Sequence, residues 1–387
     1  MGCLHVLHLS NTNIKRDNRI IKEINALSKN KNIKCHAIGI SNLLRDKNAP
    51  KKSISTIKAS IKIIKISSYD YIKIRIFKKL ILILDINKRL LLNGLNIKAQ
   101  IVHCHDIMSL PAALIIKLFM GSKLIYDAHE LESHTSGQDK ITSFLIKTFE
   151  RFTWNYIDEF ITVSESINEW YQRNFGPKNS TLILNSPEIK NNFEDSKSDN
   201  YFHKFFSIPN KDKIFIYVGE LINGRGIGTL IDTFKKIEDK SKHIIFIGYG
   251  ELEHYLKNES VKNNNIHLHE VISIDQLIKV IRSADVGICL IDSKSLSDYY
   301  SLPNKLFEYA FSGLKIISTN LPEIKKVIKE FQLGIICEAN SSSLEKAIYK
   351  IESFKKSEKS NLYKISWEYQ AEKLNYLYSN LQKLIVN

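Results

Sequence analysis

Short apolar runs alternate with longer amphipathic stretches along the chain. In the first half, the runs are CLHVLHLS, KCHAIGIS, QIVHCHD, SKLIYDAHE and EFITVSES, and each is followed by a stretch with helical periodicity, the first from about residue 17 to residue 29. Apolar strands separated by helices are typical of a parallel sheet that is covered on both faces. The pattern therefore predicts an α/β fold.

The alternation is interrupted once and then resumes. The interruption is the polar, proline-marked stretch LNSPEIKNNFEDSKSDNYFHKFFSIPNKDK, and after it come KIFIYVGE, HIIFIGYG, NIHLHEV, VGICLI, KIISTN and GIICE, again separated by helical stretches. A chain of 387 residues is long for one core and fits two domains. We therefore predict two doubly wound α/β domains with a linker at the interruption.

Two loops in the second half follow strands and carry glycines. Ligands of such sheets bind beyond the carboxyl ends of the strands. The loop GELINGRGIG holds Gly224, Arg225 and Gly226 ahead of a helix, and FIGYGELEHYL holds Gly248 and Gly250. Glycine lets the backbone approach a ligand, while a helix N-terminus and an arginine bind phosphate. Each loop alone also fits an ordinary tight turn, and neither contains the G-K-[ST] of a P-loop.

The segment SLPNKLFEYAFSG places one carboxylate, Glu308, in an otherwise apolar helix. We expect Pro303 in the first turn of this helix, with Ser301 or Leu302 as its cap, and Lys305 one turn before Glu308 on the same face. A carboxylate in such a helix needs polar partners. Those partners are either Lys305 or another side chain in a structural ion pair, or a ligand that this segment and the two glycine loops share at one edge of the sheet.

The charge of the chain is strongly positive, since 56 Lys and Arg outnumber 41 Asp and Glu. Residues 45–89 hold 13 of these cations and three aspartates. This segment fits either a solvated surface or, because Ile and Phe are interleaved with the cations, an anionic membrane surface. A nucleic-acid partner would also suit the charge, but no nucleic-acid-binding motif accompanies it.

Cysteine spacing and hydropathy indicate the compartment. The five cysteines are scattered without a C-x-x-C pair, which indicates a reducing compartment and no structural zinc. The N-terminus reads as a first strand, and no apolar run approaches the roughly 18–20 residues that span a bilayer. We expect a cytoplasmic protein, with a peripheral position on the inner face of the cell membrane if residues 45–89 bind lipid.

Several segments together resemble a known family. YVGELINGRGIGTLIDTF, IGYGELEHYL, SADVGICLI and SLPNKLFEYAFSGLKIISTNLPEI are similar to the donor half of GT-B glycosyltransferases of the large retaining family GT4; LIYDAHELES and SWEYQAEKLNYLYSNL resemble further segments of it. The resemblance implies two Rossmann-like domains facing across a cleft. We place an acceptor-binding domain at 1–187, a linker at 188–212, a nucleotide-sugar domain at 213–365 and a C-terminal helix at 366–387 that packs on the first domain.

The resemblance also implies roles for individual residues. Glu308 matches the second glutamate of the family's E-x7-E motif, which accepts hydrogen bonds from the ribose hydroxyls. Arg225 falls at the position of a phosphate-binding lysine, and His129 matches a histidine near the transferred sugar; its alternative is a polar residue at a strand end. These three are the catalytic candidates. The donor-binding candidates are Gly224, Arg225, Gly226, Gly248, Gly250, Tyr300, Leu302, Asn304, Lys305 and Glu308.

Three departures from the family pattern matter. Tyr300 replaces the first glutamate of E-x7-E, so the donor sugar does not follow by analogy. Glu220 replaces an arginine five residues before Arg225, which removes one phosphate cation. The glycine-rich loop after the first strand is replaced by SNTNIKRDNR, from which we take Asn13, Asp17 and Arg19 as acceptor-binding candidates.

The resemblance implies transfer of a glycosyl group from a nucleoside-diphosphate sugar to a saccharide or lipid-linked saccharide, in the assembly of bacterial surface polysaccharide or lipopolysaccharide. No D-x-D occurs, so we expect no metal and no cofactor besides the nucleotide sugar. The alternatives are a GT-B sugar-nucleotide 2-epimerase, an inactive descendant, and a non-catalytic basic protein that binds nucleotides or nucleic acid. A nicotinamide dehydrogenase is disfavoured because HLSNTNIKRD lacks G-x-G-x-x-G.

Overall fold

The computed structural model describes residues 3–42, 59–66, 75–188, 200–355 and 359–386. Contacts divide the chain into two units. The first consists of Met1–Leu184 together with Gln370–Asn387, and the second of Asn185–Tyr369. Each unit contains a parallel sheet flanked by helices, which confirms the predicted α/β class.

The sheet of the first unit has the strand order β3-β2-β1-β4-β5-β6-β7, and all described pairs are parallel. The strands are β1 Leu4–Leu9, β2 Ile33–Asn42, β3 Ser60–Ile66, β4 Ile101–His105, β5 Lys123–Ala128, β6 Glu159–Thr162 and β7 Ser180–Leu182. The chain moves outward from β1 to β3 and then returns to place β4 on the other side of β1. The order thus reverses between β1 and β4, where a doubly wound sheet forms its ligand crevice.

The helices of the first half are α1 Asn18–Leu27, α2 Arg75–Leu95, α3 Leu110–Met120, α4 Lys140–Thr153 and α5 Glu165–Phe175. The first begins close to its predicted start because the Asp17 carboxylate accepts hydrogen bonds from the backbone N–H groups of Arg19 and Ile20. Much of the basic segment 45–89 lies outside the described residues, namely 45–58 and 67–74.

The sheet of the second unit has the order β10-β9-β8-β11-β12-β13 and is also parallel throughout. Its strands are β8 Lys213–Val218, β9 Lys242–Ile247, β10 Ile266–His269, β11 Val286–Cys289, β12 Lys315–Thr319 and β13 Gly334–Cys337. Here the order reverses between β8 and β11. The carboxyl ends of these two strands are therefore the expected ligand position.

The remaining helices are α6 Tyr201–Phe205, α7 Ile227–Lys236, α8 Glu253–Lys262, α9 Ile274–Ile281, α10 Leu296–Tyr299, α11 Asn304–Phe311, α12 Pro322–Glu330, α13 Ser341–Lys350 and α14 Trp367–Val386. The first of these lies inside the segment predicted as a linker. From Gln370 onward, α14 belongs to the first unit, where its Tyr378 hydroxyl lies 2.8 Å from His103 Nδ1. None of the described helices has the length and apolar character needed to cross a bilayer.

The start of α11 differs from the prediction. Pro303 is the residue before the helix, with an extended backbone (φ −75°, ψ 143°), rather than part of its first turn. Ser301 does not cap the helix because its hydroxyl donates to the carbonyl of Asp298 at 2.7 Å. The extended proline directs the chain from α10 into α11.

Candidate functional site

Lys305 of α11 reaches the carboxyl end of β8. Its Nζ lies 3.9 Å from the centroid of the Tyr217 ring, and a Cβ on Gly219 would lie 3.1 Å from the same nitrogen. An ammonium over an aromatic face gains cation–π stabilisation, most of all where water is excluded. The point at which the strand order reverses therefore carries a cation supplied by a neighbouring helix.

The charge of Lys305 is weakly compensated by protein. Burial lowers the pKa of the ammonium to about 8, the positive charge of Arg225 adds to this effect, and the charge of Glu308 offsets part of it. Within the described part of the chain, no carboxylate lies within ion-pair distance of Lys305. The alternative of a direct Lys305–Glu308 ion pair is therefore not what the structure shows. An enclosed cation of this kind is suited to an anionic ligand.

Arg225 lies in the loop between β8 and α7. The loop is held close to the end of β11, because the N–H of Asp292 donates to the carbonyl of Gly224 at 3.1 Å and a Cβ on Gly226 would lie 2.4 Å from Leu290 Cβ. Gly226 also has φ +72°, which other residues adopt with strain. Arg225 is half-buried and has no hydrogen-bond or ion-pair partner among the described side chains. Its guanidinium is the second cation at this edge.

Packing within the protein explains why residues 248 and 250 are glycines. A Cβ on Gly248 would lie 1.8 Å from the carbonyl oxygen of Gly219, and one on Gly250 would lie 2.5 Å from that of Leu221. The backbones of the two loops also exchange hydrogen bonds, including Leu221 N–H to the Tyr249 carbonyl at 2.9 Å. These glycines allow two backbones to pack. Their predicted contact with a donor stays a prediction.

Glu308 lies on the half-buried face of α11, while the neighbouring Leu306, Phe307 and Tyr309 are in the core. Its charge acts on Lys305, which itself responds to Arg225. Arg225 and Glu308 therefore both lie close enough to Lys305 for their charges to act on its ammonium group. The remaining candidates Tyr300, Leu302 and Asn304 occupy the segment that leads into the same helix, and the Tyr300 ring lies 5.4 Å from that of Tyr299.

His129 follows β5 in the first unit and lies between two carboxylates. Its Nδ1 is 3.3 Å from Asp106 Oδ2 and its Nε2 is 3.1 Å from Asp127 Oδ2. Burial alone would lower the pKa of the imidazole, but the charges of Asp106 and Asp127 and their hydrogen bonds outweigh it and raise the pKa well above its usual value. Since 21% of the side chain is exposed, a protonated imidazolium reaches the carboxyl edge of this sheet.

Asp106 is a candidate that the sequence interpretation missed. It follows β4, and its φ of 60° with ψ of 164° is a region that residues other than glycine rarely occupy. Backbone strain of this kind is found most often at functional sites. The usable sequence signal was the pair of motifs HCHD and DAH, which place Asp106 and His129 just beyond the carboxyl ends of neighbouring parallel strands.

Two of the acceptor-binding candidates have structural roles. Arg19 is 3% exposed and is a correction to the prediction: its Nη2 and Nε donate to the Asp127 carboxylate at 2.8 and 3.2 Å, and its Nη1 donates to the Ile183 carbonyl at 2.8 Å. The Asp17 carboxylate caps α1. Asn13 precedes the single turn Ile14–Arg16. The arginine is buried because Asp127, on β5, faces α1 and supplies a bidentate partner.

Two family models match the chain. The model described as Glycosyl transferases group 1 matches residues 212–353, and the model described as Glycosyltransferase Family 4 matches residues 49–186. Among curated proteins, the chitobiosyldiphosphodolichol beta-mannosyltransferase of Candida albicans is 24% identical over 257 residues, which is 60% of this chain and 56% of that protein. The chain spans little more than half the length of such relatives.

Solved structures have similar folds. Sucrose-phosphate synthase from Thermosynechococcus elongatus superposes with a TM-score of 0.77 at 13% identity, covering 98% of this chain and 100% of that one. Anabaena HepE in complex with UDP gives a TM-score of 0.70 at 13% identity, covering 97% and 100%. At this level of identity the likeness concerns the fold.

Proposed function

Since the chain belongs to the group 1 glycosyltransferases and has their GT-B fold, we propose that it moves a sugar from a nucleoside-diphosphate sugar to an acceptor hydroxyl with retention at the anomeric carbon. One observation carries the proposal. The half-buried cations Arg225 and Lys305 lie with the carboxylate Glu308 where the strand order of the second unit reverses.

Each of these groups has a proposed task on the donor. Arg225 and Lys305 bind the diphosphate and stabilise the negative charge that grows on it as the bond to the anomeric carbon breaks. Glu308 accepts hydrogen bonds from the two ribose hydroxyls. Tyr300 lies eight residues before Glu308, where the family pattern has a carboxylate, and we propose that it contacts the donor sugar. UDP in the Anabaena structure supports a nucleotide diphosphate as the ligand class.

The proposed reaction is a substitution through an oxocarbenium-like transition state. The bond from the anomeric carbon to the diphosphate oxygen breaks, the bond to the acceptor oxygen forms on the same face of the sugar, and the departing diphosphate takes the acceptor proton. We propose that His129, an imidazolium oriented by Asp106 and Asp127, contacts the transferred sugar. No protein side chain is required as the general base.

We propose that no metal or cofactor takes part in the transfer itself, because two protein cations are placed to supply the charge that a divalent ion supplies elsewhere. Chelator added directly to the assay is then expected to leave the initial rate unchanged. A rate that falls on addition of EDTA and returns with Mg²⁺ would contradict this part of the proposal.

The surface of α4 supports a membrane-associated acceptor. This helix buries a polar side chain and exposes apolar ones. Glu150 is fully buried and accepts hydrogen bonds from the Tyr126 and Tyr171 hydroxyls at 2.8 and 2.5 Å. Large apolar side chains on its other side are exposed: Ile141 at 73%, Phe144 at 67%, Leu145 at 60% and Phe152 at 65%. Such a face calls for an apolar partner.

We propose that this partner is an anionic lipid bilayer. The exposed Lys140 and Arg151 flank the apolar side chains on the same helix, and the chain carries a net charge of +15. An apolar face with basic residues at its margin is the pattern of interfacial helices. The name of the Candida relative points to a lipid-linked diphosphate saccharide, and we propose an acceptor of that class, in surface polysaccharide or lipopolysaccharide assembly on the inner face of the cell membrane.

The experiment that tests the donor site is thermal stabilisation by a panel of nucleotides and nucleotide sugars. We expect one nucleotide class to raise the melting temperature of the wild type, since a ligand at 100 times its Kd adds about 2.7 kcal/mol. Glu308→Ala should lose this shift. Glu330→Ala, which removes an exposed glutamate at the end of α12, should retain it. No shift with any member of the panel would contradict donor binding.

The same panel separates the alternative reactions. The selected nucleotide sugar is incubated with the protein alone and with lipid-linked saccharide acceptors, and the products are analysed by mass spectrometry and NMR. A transferase forms a glycosylated acceptor, whereas a 2-epimerase releases nucleotide without an acceptor. The anomeric signal of the product shows retention or inversion. A protein that binds the donor but yields neither product would be the inactive descendant.

A further inference from the structure

A second group of polar side chains is fully buried beneath α1 in the first unit. His8 lies on β1 opposite His103 of β4 in the parallel register, and His105 is two residues further along the same face of β4. Glu23 of α1 covers this face, and all four side chains have no exposed surface. One nitrogen or oxygen atom from each residue lies within 4.8 Å of one atom from every other.

Several atoms of this group lack the partners that burial normally demands. Neither carboxylate oxygen of Glu23 accepts a hydrogen bond within the described chain, and His8 Nε2 and His103 Nε2 also have no partner. Arg19 lies 3.2 Å from Glu23 Oε1 as an ion pair, but its guanidinium donates its hydrogen bonds to Asp127 and Ile183. A buried carboxylate without hydrogen bonds is strongly unfavourable unless something else compensates it.

The outer nitrogens of two histidines are already oriented. His103 Nδ1 lies 2.8 Å from the Tyr378 hydroxyl, and His105 Nδ1 lies 3.4 Å from Asp127 Oδ2. In both rings the opposite nitrogen, Nε2, therefore points into the group. Histidines that bind metals are oriented in this way, with one ring nitrogen hydrogen-bonded to a carboxylate or other polar group and the second on the ion.

We propose that His8, Glu23, His103 and His105 bind one divalent transition-metal ion, with zinc the best match, inside the first unit. Three imidazoles and one carboxylate are a ligand set that zinc accepts in tetrahedral geometry. With bonds of about 2.0–2.2 Å, tetrahedral ligand atoms lie about 3.3–3.6 Å apart. The distance from His103 Nε2 to Glu23 Oε2 is 3.7 Å, close to this range. His8 Nδ1 and His105 Nε2 lie 3.0 Å apart in a hydrogen bond, which the ion would replace by accepting a lone pair from each nitrogen.

The site is closed, so the proposed ion has a structural role and holds α1 to β1 and β4. The local charges also suit it. Glu23 and Asp127 face one buried guanidinium, that of Arg19, and burial raises the pKa of Glu23 to about 8, so the ion would displace a proton from this carboxyl group. The histidines are neutral because burial lowers the pKa of each of them. Neutral imidazoles need not release a proton to bind a metal.

The test is metal analysis of the full chain, expressed without a histidine tag and purified without chelator. We expect about one equivalent of zinc or a related metal per chain. Protein produced in zinc-depleted medium and loaded with Co²⁺ should show the visible absorption of a tetrahedral site. Wild-type protein that retains no metal and gives no such spectrum would overturn the proposal, and would instead indicate a protonated Glu23.

Variants assign the ligands. Glu23→Gln and His103→Gln keep the size of the side chains and should lose the stoichiometric metal, whereas Tyr378→Phe should weaken metal affinity by about 10- to 100-fold. His36→Gln is the matched control, since His36 stacks on His5 outside this group in the same sheet. Equal metal content in Glu23→Gln and the wild type, or equal loss in His36→Gln, would also overturn it. If a variant does not fold, the wild-type metal content and spectrum decide.

Discussion

At the scale of single residues, Lys305 has the most informative environment. Its pKa of about 8 lies below the usual 10.5 because the ammonium is buried and a second cation, Arg225, is near. Between these two pH values the unfolded chain binds more protons than the folded one. Stability contributed by this group therefore rises as the pH increases through that window. A bound diphosphate would raise the pKa of Lys305 again, since an anion favours the charged form of the ammonium.

We therefore predict that nucleotide-sugar binding takes up a proton near pH 8. Calorimetric titration of the wild type in buffers of different ionisation enthalpy should reveal the uptake, and affinity should fall as the pH rises above about 8. Lys305→Met should weaken binding by about 1.5–3 kcal/mol at neutral pH. Lys305→Arg remains charged and serves as the control, with an affinity independent of pH in this range. The same pH dependence in Lys305→Arg would place the titrating group elsewhere.

A second prediction at this scale concerns His129 and the strained Asp106. The stabilising interaction of the imidazolium with its carboxylates is fully present below the unfolded pKa of 6.5 and is lost as the pH rises through the folded pKa, which lies well above that value. Asp106→Asn removes one of the two charges and should lower the pKa of His129. Titration of the His129 ring signals by NMR measures this directly. An unchanged pKa would mean that Asp127 alone sets it.

The catalytic consequence of Asp106→Asn is separable from its effect on folding. If the imidazolium charge serves the reaction, kcat should fall at neutral pH while the nucleotide still stabilises the protein. His134→Asn is a suitable control, because His134 is a partly buried histidine in the same unit that contacts Ser133 and Trp170 rather than these carboxylates. A variant with full kcat and a lowered pKa would remove the positive charge of His129 from the mechanism.

At the scale of elements, the loop between β8 and α7 depends on one glycine. Gly226→Ala should cost about 1–3 kcal/mol of unfolding free energy because a side chain at φ +72° is strained and its Cβ would meet Leu290. Gly228→Ala, two residues later inside α7 with no atom within 4 Å of the added carbon, should instead stabilise by up to about 1 kcal/mol. Denaturant unfolding of both variants checks this contrast. Equal effects would contradict the proposed packing.

The elements were predicted more completely than the site. Strands such as KIFIYVG and LIYDA are continuous apolar runs, so their existence and parallel arrangement follow from the sequence alone. The start of α11 does not follow from the sequence. The Ser301 hydroxyl donates to the carbonyl of Asp298 in the preceding helix and does not cap α11. Arg19 was misassigned for a similar reason. Its partner Asp127 is 108 positions away in the chain and becomes its neighbour only through folding.

The same reason separates the two candidate sites. Arg225, Lys305 and Glu308 occur in segments whose spacing resembles a family pattern, so the sequence could single them out. The residues of the buried group around Glu23 lie on α1, β1 and β4. Except for His103 and His105, they are far apart in the sequence, so no short ligand motif indicates the group. The sequence-based expectation of no structural zinc rested on the absence of such a motif among the cysteines.

At the scale of the whole molecule, net charge and the exposed apolar face of α4 act together. A net charge of +15 attracts the chain to anionic lipid over distances comparable with the Debye length, about 8 Å at physiological salt. That attraction alone would be non-specific and would disappear at high salt. Insertion of Ile141, Phe144, Leu145 and Phe152 would add a contribution that salt does not screen.

We predict that the protein co-sediments with vesicles of mixed neutral and anionic lipid, and that moderate salt weakens this binding without abolishing it. The double variant Ile141→Ser/Phe144→Ser should bind only at low salt, because the charge remains while the apolar contribution is lost. Val261→Ser is the control, since Val261 is 83% exposed on α8 in the second unit. If the wild-type protein does not bind vesicles at low salt, lipid is not the partner. If the protein forms a concentration-dependent dimer that the double variant abolishes, the partner of the α4 face is a second copy of the chain.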